Sequence, residues 1–162
     1  MGTTPNTIQS KTPATFVVQF SIPATAEAGT QINSTMQSVI GGQYTATKQV
    51  PPNEVWALKR MYADSAFTAA TGGNFDINIV VSDREQSLNV NTAVMVVGSG
   101  SFAPINPFDE TMIIDSGESF YFYGVLTQTS SSSTATTENL KLYMIQYPRS
   151  LALAMNKAGQ PL

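Results

Sequence analysis

The sequence contains no cysteine and no histidine. Without cysteine there are no disulfides, thiolate nucleophiles or sulfur-ligated metals, so stability must come from packing, and the redox compartment leaves no mark on the chain. Without histidine the commonest general base, the commonest metal ligand and the usual switch near neutral pH are gone, and a Ser-His-Asp triad cannot be built. Charge is scarce as well, at 12% of residues against about 25% in an average domain. The net charge is −3 and the eight basic residues are scattered. A nucleic-acid groove, which needs clustered Lys and Arg to displace counterions, is not expected. No apolar run approaches the roughly 18–20 residues that cross a bilayer. Met1-Gly2-Thr3-Thr4-Pro5 lacks the regions of a signal peptide, so the expected product is soluble and not exported.

What fills the chain instead is Thr, Ser, Asn and Gln, interleaved with short apolar alternations. The length of 162 residues suits one domain. Residues 1–13 are polar, with Pro5 and Pro13 as breakers, and read as a flexible arm. Phe16, Val18, Phe20 and Ile22 alternate with polar neighbours and predict a strand ended by Pro23. Asn33 or Ser34 caps a short helix through Met36, Val39 and Ile40, or the same residues form a loop with a short strand. Gln43 to Val50 predicts a polar strand. Glu54 to Phe67 carries apolar residues on both phases, Val55, Ala57 and Met61 against Trp56, Leu58 and Tyr62, as in a strand covered on both faces.

Gly72-Gly73-Asn74 reads as a turn before the cleanest alternation, Phe75, Ile77, Ile79 and Val81. A charged turn, Ser82 to Gln86, and a strand region over Leu88 to Val97 follow, then an irregular loop from Gly98 to Pro107. Thr111 to Ile114, the turn Asp115-Ser116-Gly117, and Glu118 to Thr127 read as a hairpin. Thr129 to Thr137 is nearly all Ser and Thr and predicts a surface loop with nothing to give to a core. Asn139 to Tyr147 is the last strand. The tail 149–162 places Leu151, Leu153 and Met155 among alanines and suits a short helix. The whole predicts an all-β fold: an antiparallel β-sandwich of about eight strands over 14–148, with a short arm and a tail. A single jelly roll is the preferred form, ahead of an immunoglobulin-like sandwich, whose Cys-Trp-Cys pattern is lacking.

Candidate chemistry is thin. Asp83 with Glu85 and Asp109 with Glu110 are paired carboxylates of the kind glycoside hydrolysis uses, but their loop positions argue for solvated turn residues. No spaced acidic ladder for a cation is present. Gly98-Ser99-Gly100-Ser101 lacks the Lys and the helix of a phosphate loop. No catalytic residue, cofactor or metal is therefore expected. Trp56, Tyr62, Tyr121, Tyr123, Tyr143 and Tyr147 are the candidate interface residues. They suit core and inter-subunit packing, with a sugar-stacking platform as the alternative. The apolar residues on both phases of the Val55, Glu118 and Asn139 strands call for a cover on the second face, by neighbouring subunits or by flanking loops.

The order Val50-Pro51-Pro52-Asn53-Glu54-Val55-Trp56, a clean alternating strand, a Pro-rich loop, Ile114-Asp115-Ser116-Gly117-Glu118-Ser119-Phe120 and a final strand ending Tyr147-Pro148 resembles virus structural proteins. It is similar to the single jelly-roll major capsid proteins of tailless icosahedral viruses with an internal membrane, such as those infecting Thermus and haloarchaea, over Ala14 to Pro148. The resemblance implies a capsid subunit located in the virion and no catalytic residues. It further implies homo- or hetero-dimeric building blocks, a possible second capsid protein, and termini reaching neighbours or the membrane. A carbohydrate- or receptor-binding module, as on a virion spike, is the alternative function.

Overall fold

The computed structural model describes residues 10–37, 42–63, 75–82, 84–91, 103–105, 112–127, 129–130 and 133–162. Two antiparallel sheets pack face to face. The first has the order β3 (Thr35–Gln37), β1 (Thr12–Ile22), β11 (Thr136–Pro148), β5 (Glu54–Ala63), β8 (Ala103–Ile105), with β9 (Met112–Ile114) also paired to β5. The second runs β2 (Gln31–Asn33), β10 (Ser119–Leu126), β6 (Phe75–Val81), β7 (Arg84–Asn91), with β4 (Lys48–Gln49) paired to β10. One pairing pattern underlies both: β1 with β11, β2 with β10, β5 with β8 and β9, and β6 with β7. Early strands meet late ones, in nested fashion, down to the β6–β7 hairpin.

Alternation puts one face of each long strand between the sheets. In β1 these are Phe16, Val18, Phe20 and Ile22, and in β6 Phe75, Ile77, Ile79 and Val81, all buried. Their rings interlock: Phe16 with Trp56 at 5.3 Å, Trp56 with Phe120 at 6.1 Å, and Phe20 edge-on to Phe75 at 5.0 Å. Full burial of such side chains is worth about 1.5–3 kcal/mol each. Gly124 is required here, because a Cβ would lie 1.9 Å from Cζ of Phe75.

β5 changes phase partway along. Tyr143 pairs with Arg60 but Met144 with Leu58, so Lys59 is an extra residue bulged out of the ladder. Leu58 and Met61, three positions apart, consequently both belong to the central core. Val55 and Ala57 belong instead to a second cluster with Ile145, Tyr147 and Ala152. That cluster answers the apolar excess on both phases of β5 and β11. Its cover is the chain's own helix α1 (Arg149–Lys157), so this stretch needs no neighbouring subunit to keep it dry.

Several expectations require correction. The eight expected strands become eleven segments among the described residues, several only two or three residues long. Of the two readings of the Met36 region, the helix is not formed and the short-strand one is nearer: Gln31 to Gln37 makes two short strands that cross from one sheet to the other at Ser34, and Ser38 to Gly41 lie outside the described residues. The strand expected over Gln43 to Val50 shrinks to Lys48–Gln49 and a lone bridge at Thr45. Thr111–Ile114 and Glu118–Thr127 do not pair as a hairpin; β9 joins β5 in one sheet and β10 enters the other. In the supposed charged turn, Arg84, Glu85 and Gln86 are already strand, and Asp83 lies outside the described residues. Within the Ser/Thr stretch Ser130 is 3% exposed and donates its N–H to Ala26 O at 2.8 Å, while Thr136 and Thr137 open β11. The turn at Gly72-Gly73-Asn74 lies outside the described residues, and of the irregular loop expected from Gly98 to Pro107 the described part, Ala103–Ile105, is strand β8 paired to β5.

Candidate functional site

An open groove of about 750 Å³ lies beside α1, on the outer face of the first sheet. Across that sheet the order is β11, β5, β9, and α1 lies over β11 and β5. Val55 lines the groove, with α1 and the segment Gln160–Leu162 on one side and Ile113 and Asp115 on the other.

Each wall is held by local chemistry. Asp115-Ser116-Gly117-Glu118 is a tight turn in which Gly117 takes φ 78°, a left-handed conformation that glycine adopts without penalty. The Ser116 N–H donates to Asp115 Oδ1 at 2.7 Å, the Asp115 N–H to Glu118 Oε1 at 2.9 Å, and the Ser116 hydroxyl to Glu54 O at 2.5 Å. The opposite wall starts at Pro148, which has no side chain to cap the helix, and Arg149 donates its N–H to Asn53 O at 2.8 Å. The helix ends in a Schellman arrangement: Gly159, at φ 70°, donates to Asn156 O, and Gln160 to Met155 O. The Lys59 ammonium, carried on the β5 bulge, donates to the main-chain oxygen of Leu162 and ties down the end of that wall. Burial, and then the charge of Lys11, lower the Lys59 pKa from its usual 10.5.

α1 has two faces. At about 100° per residue, Leu151, Ala152 and Met155 turn to the second cluster, and Arg149, Leu153 and Asn156 turn to the groove. Sequence reading grouped Leu151, Leu153 and Met155 as one set, but i, i+2 spacing separates helical side chains onto different faces. Leu153 at 52% and Ile113 at 39% are the large hydrophobics most exposed to solvent among the described residues, and both line this groove. Sequence reasoning missed the groove because β9 and α1 are 34 positions apart at Asp115 and Arg149 and become neighbours only through β5.

Of the six candidate interface residues, Tyr143 and Tyr147 share the second cluster, and Trp56 and Tyr121 share the central one. Trp56, 6% exposed, sits in the central core and donates Nε1–H to Glu54 Oε2 at 3.1 Å. Tyr147, 2% exposed, lies under α1, and burial followed by the neighbouring Tyr143 raises its pKa above 10.0. Tyr143 packs at the edge of the same cluster, Tyr121 is half-buried against the central core, and Tyr123 is buried in β10. The side chain of Tyr62 lies outside the described residues. A stacking platform needs open ring faces, and Trp56, Tyr123 and Tyr147 do not offer them.

Asp83, Asp109 and Glu110, and the side chain of Glu85, lie outside the described residues. Among the described residues no group of three or more Asp and Glu is placed to hold a metal ion. What the site offers is shape, two uncovered apolar side chains and one charge of each sign. Comparison with known protein families finds no family that matches this chain, and comparison with curated proteins finds no relative.

Proposed function

We propose that the chain is a structural subunit of a virus shell, a single jelly roll that works by burying surface between copies. The observation that carries this reading is the nested strand pairing. A long two-stranded ribbon, first strand against last, rolls into two layers when its arms alternate between sheets, and that is the arrangement known as a jelly roll. Here the ribbon pairs β1/β11 and β5/β9 contribute to one layer and β2/β10 and β6/β7 to the other.

The surface supports the same reading. The outer face of the β1–β11 pair includes uncharged polar contacts, as where Gln19 donates to Asn139. Little net charge opposes association. In this proposal the subunit sits in the virion, builds shells from dimers of itself or with a second capsid protein, and contacts an internal membrane through its termini. Repetition by symmetry makes individually weak contacts sufficient. Electron microscopy of the purified protein, with sedimentation velocity over a concentration series, tests it. Rings, sheets or shells are expected, and a strictly monomeric species at high concentration overturns it.

A further inference from the structure

The groove beside α1 carries opposite signs and matching apolar groups on its two walls. Arg149 and Leu153 stand on the helix wall, and Asp115 and Ile113 on the β9 wall. A two-fold axis running along such a groove exchanges the walls: the helix wall of one copy comes to face the β9 wall of the other. Arg149 then meets Asp115 of the second copy, and Leu153 meets its Ile113, each pair occurring twice. The surface is complementary to itself in charge and in apolar content at once. We infer that this groove is where two copies of the chain dock, about a two-fold axis parallel to it.

The physical reasons are specific. Leu153 and Ile113 are the large hydrophobics most exposed among the described residues, and α1 uses its other stripe on its own sheet, so a second copy seated in the groove would bury both. Both walls are preformed, the turn by its internal hydrogen bonds and the helix end by Gly159 and Lys59, so docking orders little new structure. An axis across the groove would instead set helix wall against helix wall and keep Arg149 away from Asp115, so the charge pairing selects the orientation.

This inference rests on the assembling-subunit reading and adds the surface to it. The experiment is sedimentation equilibrium on the full chain and on four variants: Leu153→Ser, Arg149→Glu, Asp115→Lys, and the double variant Asp115→Lys/Arg149→Glu. Circular dichroism confirms that each is folded, and Leu153→Ser is the variant least able to disturb the fold, since that side chain is already half in solvent. The expected result is a tenfold or greater weakening of dimerisation in each single variant. The double variant, and an equimolar mixture of the two charge-reversed single variants, recover dimerisation to within about threefold of the original. A wild-type chain that dimerises while Leu153→Ser and both reversals dimerise equally well overturns the groove assignment and leaves the subunit reading standing. A wild-type chain that never self-associates overturns both.

Discussion

Gly124 and Phe75 meet so closely that each fixes the identity of the other. Phe75 is wedged by Phe20 on one side and fully buried, so its ring has nowhere to swing if Gly124 acquires a methyl. Gly124→Ala is expected to cost about 3 kcal/mol through overpacking, read from urea unfolding midpoints. Combining it with Phe75→Leu should cost less than the sum of the two single changes, since the smaller side chain yields the space. Ser34 presents the opposite case. It is 2% exposed, its N–H is satisfied by Phe122 O, and its hydroxyl has no partner. Ser34→Ala removes a desolvated polar atom and is expected to stabilise the fold by up to about 1 kcal/mol; a loss of stability in the same urea titration would mean that the hydroxyl has a partner after all.

Among elements, α1 is the one whose role can be isolated. Ala152, 6% exposed, is the helix residue set deepest into the second cluster. A carboxylate there must either remain buried or lift the helix, so Ala152→Asp is expected to cost about 2–4 kcal/mol and to increase binding of a hydrophobic dye as Val55, Ile145 and Tyr147 are uncovered. Tyr147 beneath it gives a pH signature. Its pKa is raised in the folded state, so the unfolded chain releases the phenolic proton first, and stability falls as pH rises past 10.0. Lys59, lowered from 10.5, acts in the opposite sense: the folded chain releases that proton first, and its contribution rises as pH climbs towards 10.5. Comparing melting temperatures of the wild type and Tyr147→Phe from pH 8 to 11 isolates the tyrosine, and the variant should lose less above pH 10.0. Sequence reading reached the elements unevenly, for physical reasons. β1 and β6 are legible because a strand of seven or more residues with one dry face writes its period into the side chains. β2, β3 and β4 are too short to write any period and exist because β1 and β10 offer them partners. The Lys59 bulge hides its own phase change, since a run that is apolar on both sides reads the same before and after the slip. The groove left no periodic signal, since it is assembled from a three-residue strand, a turn and the back of a helix.

On the scale of the molecule, the dominant fact is that contacts span the sequence. β1 lies between β3 and β11, and β11 lies between β1 and β5, so the first sheet closes only around its last strand. Such non-local pairing slows folding into the range of about milliseconds to seconds, which stopped-flow fluorescence of Trp56 can follow. A chain ending at residue 135 should show no cooperative thermal transition, because without β11 both β1 and β5 have an open edge and the Leu140, Leu142 and Met144 share of the core is absent. A well-resolved melt from that fragment would show that the second sheet holds together by itself.

The late position of β11 also sets a clock. α1 has no sheet to lie on until β11 has entered between β1 and β5, and the groove has no second wall until α1 is down. If two copies dock at the groove as proposed, a polypeptide still on the ribosome cannot present it, however many neighbours are being made beside it. Under the proposed docking, the order in which the strands complete would delay association until the last one is in place.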